Sequence, residues 1–147
     1  METEHSPAGG LIRDTSGNLY GITYIGGSAG KGTVFKLDAS GHETVLHSFT
    51  DRPDGASPYA GLLRDALGNL FGTTSYSGAT GQGTVFKLDT AGTMTVLHSF
   101  AGELDGANPY AGLIMDASGN LYGTTSNGGN GTQCHATGCG TVFKLTP

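Results

Sequence analysis

One fourteen-residue stretch occurs three times at a constant spacing, and this recurrence limits the possible folds more than any other property of the chain. It reads Gly10-Leu-Ile-Arg-Asp-Thr-Ser-Gly-Asn-Leu-Tyr-Gly-Ile-Thr23. It returns at 61–74 and 112–125, each copy 51 residues after the last. A period of this size marks a repeat architecture, in which each unit buries its apolar surface against the next. The 147 residues therefore read as a single repeat domain, with units at approximately 1–50, 51–101 and 102–147.

Each unit predicts four short strands. Leu11 to Arg13 and Leu19 to Thr23 flank Asp14-Thr-Ser-Gly-Asn18. Asp opens such a turn by accepting downstream backbone N–H groups, and Gly closes it because positive φ costs Gly little. The same Asp-x-x-Gly spacing recurs at Asp38–Gly41 and Asp89–Gly92, so a complete unit carries two tight turns. After a Gly-rich loop comes Thr33-Val-Phe-Lys-Leu37, repeated at Thr84–Leu88 and Thr141–Leu145. Phe35 and Leu37 point one way, and Val34 and the stem of Lys36 the other, so both faces are apolar. A strand buried on both sides lies between neighbouring sheets. Thr44–Phe49 and Thr95–Phe100 supply the fourth strand; the third unit stops at Pro147 before it reaches one. Four short antiparallel strands in about 50 residues are the content of a propeller blade. No stretch keeps a helical period, so essentially no helix is expected.

The fold class that follows is all-β: three four-stranded propeller blades, the third incomplete in sequence. Three blades do not close a ring, and an open stack leaves two apolar faces in water. Propellers have about four to eight blades. A head-to-tail homo-oligomer of two chains supplies six, and three chains supply nine; a longer chain holding further blades is the alternative.

Charge and hydropathy exclude some roles. The net charge is −5, so no nucleic-acid partner is expected, since phosphate binding needs a basic patch. No apolar run approaches a membrane span, and Met1 to His5 lacks the pattern of a signal peptide. There is no phosphate-binding Gly-x-x-x-x-Gly-Lys stretch and no Gly-x-Ser-x-Gly elbow.

Candidate chemistry gathers on the segment before each inner strand, Asp54-Gly-Ala-Ser-Pro-Tyr59 and Asp105-Gly-Ala-Asn-Pro-Tyr110, which crosses one rim toward the channel. Rim loops of repeat folds are where ligands tend to bind. Asp54 and Asp105 have the oxygen chemistry to hold a hard cation, and Tyr59 and Tyr110 can stack on or hydrogen-bond a small-molecule ligand. The competing reading makes the Asp a turn residue and packs the Tyr between blades. His47 and His98, within apolar strands, read as hydrogen-bonded structural residues sooner than as catalytic bases. Asp14, Asp65 and Asp116 are explained by their turns. Arg13 and Arg64 point from the inner strand, with Met115 in their place in the third unit. Cys134, His135 and Cys139 offer three zinc ligands with no clear fourth, so a disulfide or free thiols is expected.

The frame Gly-Leu-x-x-Asp-x-x-Gly-Asn-Leu-Tyr-Gly-Thr-Thr, followed by Gly-Thr-Val-Phe-Lys-Leu and Thr-Val-Leu-His-Ser-Phe, resembles the GloVer-type tandem-repeat β-propeller family of bacterial proteins. That resemblance implies an exported protein, although this chain shows neither signal peptide nor anchor. The core Asp-x-x-Gly-Asn-Leu-Tyr is also similar to NHL-type blades and to calcium-dependent gluconolactonase propellers. This second resemblance implies Ca²⁺ in the central channel and hydrolysis of a lactone or ester there. A ligand position of those lactonases corresponds to Gly9, Ala60 and Ala111, none of which ligates through a side chain, so a calcium site here has to be built differently. Two functions follow. The first is a metal-assisted hydrolase at the channel mouth, with Asp54 and Asp105 on the metal and Tyr59 and Tyr110 beside them in catalysis. The alternative is a non-catalytic carbohydrate-binding or scaffold module.

Overall fold

The Asp-x-x-Gly turns form as their residue types dictate. Asp14 accepts the backbone N–H groups of Ser16 and Asn18 at 2.9 Å each, and its second oxygen accepts Asn18 Nδ2 at 2.8 Å and the Tyr20 hydroxyl at 3.0 Å. Asp116 repeats the pattern with Ser118, Asn120 and Tyr122. Gly17 and Gly119 close these turns at φ 88° and 83°. Each turn therefore joins two antiparallel strands in a fixed register.

The computed structural model describes residues 6–130 and 138–147. The first sheet runs β1 (Pro7–Arg13), β2 (Leu19–Thr23), β3 (Thr33–Leu37) and β4 (Glu43–Ser48), each strand beside the one before it. The second repeats this order with β5 (Leu63–Arg64), β6 (Leu70–Thr74), β7 (Thr84–Leu88) and β8 (Met94–Ser99). The third holds β9 (Ile114–Met115), β10 (Leu121–Thr124) and β11 (Val142–Leu145). All pairings between these strands are antiparallel. The expected all-β blades are present, with four, four and three strands among the described residues.

Three details depart from the expected strands. A 3₁₀ turn occupies Glu103–Asp105, where no helix was expected. The inner strand is unequal between units, seven residues in the first and two in each of the others. The outer strand carries a bulge: Val34 pairs with His47 but Phe35 with Val45, and the second sheet repeats this at Val85 and Phe86. Leu46 and Leu97 are the extra residues. A bulge bends its strand and re-aims the side chains beyond it. Here Phe49 and Phe100, just past the strands, are turned into the core and completely buried.

Packing follows the two-faced strands. Ile22, Val34 and Phe49 of the first unit meet Leu62, Leu70, Phe86 and Leu88 of the second. Phe71, Val85 and Phe100 of the second meet Leu113 and Leu121 of the third, with Phe143 and Leu145 packed against them. Phe49 meets Phe86 edge to face at 5.2 Å, and Phe100 meets Phe143 likewise at 5.1 Å. Toward the hub the inner strands converge on glycine backbone. A Cβ built on Gly9 would lie 2.3 Å from the Gly61 nitrogen, so no larger residue fits there.

The turns make stability pH-dependent. Hydrogen bonds, first from the Asn18 and Asn120 side chains, hold the carboxyls of Asp14 and Asp116 down at about 2. A depressed carboxyl pKa contributes stability above the unfolded-state value, and the contribution is lost as pH falls through the folded value. The melting temperature is therefore expected to fall between about pH 4 and pH 2. The Asp14→Ala/Asp116→Ala variant should show a flatter acid limb in a pH series of thermal melts.

Candidate functional site

The segments 54–59 and 105–110 cross from the outer strand of one sheet to the inner strand of the next, and each residue has a distinct task. Asp54 sits at the outer end. Its carboxylate pairs with His47 Nε2 at 2.8 Å and accepts the Thr50 hydroxyl at 2.7 Å and the Thr50 N–H at 3.2 Å. Asp105 pairs with His98 Nε2 at 3.0 Å and accepts the Ala101 N–H at 2.7 Å. Each imidazole also stands edge-on to a buried ring, His47 on Phe49 and His98 on Phe100. The two pairs latch each crossing to the outer strand it leaves.

The next residues bring the sheets into contact. Gly55 and Gly106 lie at φ 102° and 94°, and a Cβ on either would strike the side chain of Thr74 or Thr125. Those threonines belong to hydroxyl pairs, Thr74 with Thr84, buried, at 2.8 Å and Thr125 with Thr141, part-buried, at 2.9 Å. Ala56 and Ala107 bridge to the backbone of Tyr76 and Asn127. Pro58 and Pro109 then seat over Gly32 and Gly83, where an added Cβ would come within 2.8 Å of the proline ring.

Tyr59 and Tyr110 end the crossings, and here the structure shows more than the repeat alignment does. Tyr24, at the end of β2, stacks on Tyr59 with ring centroids 5.2 Å apart and 15° between planes. Tyr59 meets Tyr110 at 5.5 Å, and Tyr110 meets Tyr76 edge-on at 6.2 Å. The Tyr76 and Tyr110 hydroxyls are hydrogen-bonded to each other. Four tyrosines thus form a continuous ladder along one rim, and Tyr59, Tyr76 and Tyr110 remain 36%, 44% and 42% exposed. Sequence reasoning singled out Tyr59 and Tyr110 but missed Tyr24 and Tyr76. These two are one position out of step: Tyr24 aligns with Ser75, and Tyr76 with Ile25. An open cleft of about 380 Å³, which none of the four tyrosines lines, is formed by Gln82, Glu103, Asn108 and Asn127 together with Ala107 and glycine backbone.

The two carboxylates predicted as metal ligands face different neighbours and are each engaged with a histidine of the preceding unit. Calcium takes six to eight oxygen ligands. Among the described residues no three His, Cys, Asp or Glu side chains gather into one group. Among the described residues, these two carboxylates by themselves do not make up a calcium site. Cys134 and His135 lie outside the described residues; Cys139 is disulfide-bonded.

The ladder also sets what its phenols can do. The hydrogen bond to Tyr76, with burial and the neighbouring phenols, pushes the Tyr110 hydroxyl up to about 12. Such a phenol keeps its proton at neutral pH and serves as a hydrogen-bonding group, not as a base. Alkaline titration followed by phenolate absorbance is expected to show a tyrosine ionising near pH 12, above the ordinary range near pH 10. Tyr76→Phe should lower that midpoint by removing its largest cause.

Three solved structures share this arrangement of sheets. A streptogramin B lyase matches at 18% identity with a TM-score of 0.58, covering 98% of this chain and 42% of that one. A protein described as a gluconolactonase matches at 18% identity with a TM-score of 0.56, over 92% of this chain and 48% of that one. Virginiamycin B lyase from Staphylococcus aureus matches at 13% identity with a TM-score of 0.57, over 99% of this chain and 43% of that one. The chain spans less than half the length of each, and at these identities the likeness is one of fold. No curated protein sequence matches it. The recurring frame is found as a unit elsewhere, matching over residues 2–147, and the chain belongs to the Gloeobacter/Verrucomicrobia repeat family.

Proposed function

We propose that this chain is a ligand-binding propeller segment whose working surface is the tyrosine ladder, and that its ligand is a neutral carbohydrate. The observation that carries this reading is the ladder itself: four rings in continuous contact, three of them more than a third exposed. An exposed contiguous aromatic strip on a protein with few charged residues marks an interaction site. Tyrosine suits one that is apolar on its face and wet at its tip, because it offers a large rigid ring and a hydroxyl at low entropic cost. A sugar ring presents the complementary pair, an apolar C–H face and hydroxyls at its edge. A cleft lined by Gln82, Asn108 and Asn127 offers polar groups of the kind that take such hydroxyls, although Asn127 already donates to Asn108 and Asn108 to the Ser75 carbonyl.

The chain has no Trp and six Tyr, so its intrinsic emission reports on a surface holding four of them. Titration with neutral oligosaccharides is expected to change tyrosine emission saturably. Tyr59→Ala or Tyr110→Ala should weaken binding by about tenfold, the loss of roughly 1.4 kcal/mol of stacking. Tyr59→Phe keeps the ring face and should bind within a few-fold of the parent. Emission unchanged across a panel of glycans, with thermal melts showing a folded protein, sinks this reading.

Lactone or ester hydrolysis assisted by calcium is the second reading, favoured by the gluconolactonase among the structural neighbours. Asp54 and Asp105 would need further ligands to hold the ion. Lactone turnover that a chelator abolishes and added Ca²⁺ restores would place this reading first. Loss of that turnover in Asp54→Ala/Asp105→Ala, with the fold kept, would assign it to these carboxylates.

A further inference from the structure

We infer that the open face of the third sheet docks on the open face of the first sheet of a second copy of this chain, and that two copies close a six-bladed ring. The chain has already made this joint twice. Val34 and Val85, on the faces turned to the next sheet, are completely buried, whereas their counterpart Val142 is 82% exposed. Leu62 and Leu113, on the receiving faces, are 6% and 7% exposed, whereas their counterpart Leu11 is 56% exposed. Ile114 is bared beside Val142. The two open ends are the two halves of one interface, carried by the same repeat positions.

A correlated exchange of residues identifies the occupant. In the first joint, Arg64 lies over the Tyr20 ring at 5.9 Å, and the Tyr20 hydroxyl is held by Asp14. In the second joint both positions change together: Met115 takes the arginine position and Phe71 the tyrosine position, and both enter the apolar cluster. The open ends carry the first pairing again. Tyr122 on the third sheet has its hydroxyl held by Asp116 at 2.9 Å, as Tyr20 is by Asp14, and the exposed Arg13 on the first sheet stands where Arg64 does. A tyrosine end is therefore matched to an arginine end, which a second copy of this chain supplies. Lys144 over Tyr122 is no obstacle, because Lys87 lies over Phe71 in the same way inside a completed joint.

The contact is heterologous and self-complementary in sequence order, so it recurs until it closes. Two copies give six sheets, within the range of about four to eight that propellers adopt.

Sedimentation across a concentration series is the test. The expected result is a species of twice the chain mass that dissociates on dilution. Val142→Glu and Leu11→Glu should each weaken it at least tenfold, while the dissociated chains keep their melting transition, since both sites are exposed within one copy. Arg13→Met and Tyr122→Phe should weaken it singly, and the double variant, which copies the Met115 and Phe71 joint, should recover most of the loss. A folded single chain at every concentration overturns the inference. So does a three-copy mass, or a two-copy species indifferent to all four substitutions.

Discussion

A β-sheet only five residues tall, apolar on both faces, is unstable alone, and every other feature of this chain answers that constraint. Val34 and Phe35 are neighbours in β3, yet one serves the joint ahead and the other faces behind. The same holds for Val85 and Phe86, both completely buried because the second sheet has a neighbour on each side. Stability in such an array comes largely from nearest-neighbour interfaces. The middle unit is accordingly the best buried of the three: every residue of β6 is buried, whereas β10, its equivalent in the third sheet, is only partly so. Burial differs between copies of one sequence because their neighbours differ.

Tight joints require the crossings to be short and closely seated, which explains why the Asp-Gly-Ala-x-Pro-Tyr segment contains so little spare chemistry at its beginning. Its carboxylate anchors to a histidine on the strand it leaves. Its glycine lets backbone approach the threonine pair of the next sheet at a distance no side chain allows. Its proline rests on the glycine of the preceding loop. The left-handed backbone of Ser57 and Asn108, at φ 55° and 54°, turns the chain between these contacts. Only the final tyrosine projects outward. Structural anchoring and the proposed recognition are thus divided along six residues, the first at the outer strand and the last exposed on the rim.

This division explains which features were legible in sequence. The turns were readable because an Asp-x-x-Gly unit folds through its own side chain and needs no distant partner. The two-faced β3 was readable because alternation in Thr-Val-Phe-Lys-Leu is a local property. Asp54 and Asp105 were harder, since a carboxylate before glycine looks the same whether it faces a channel or an outer strand. The bulges at Leu46 and Leu97, just before His47 and His98, decide that question, and nothing in Thr-Val-Leu-His-Ser-Phe announces them. Tyr24 and Tyr76 escaped for a different reason. Alignment of repeats highlights positions that recur, whereas these two side chains reach one surface from non-equivalent positions.

That irregularity bears on how the ladder relates to any assembly. The position of Tyr59 and Tyr110 is held by Ala8 in the first unit, and the positions of Tyr24 and Tyr76 by Ser126 and Asn127 in the third. At the joint between the third sheet and a following first sheet, the rim would therefore offer alanine, serine and asparagine where the internal joints offer rings. The ladder ends within each chain, whatever covers the exposed faces beyond it. The proposed recognition and the proposed closure consequently use separate residues: the rings on one rim, and the apolar faces with Arg13 and Tyr122 between the sheets. A change in one set need not disturb the other, because a propeller's rim loops vary while its blade faces must keep matching.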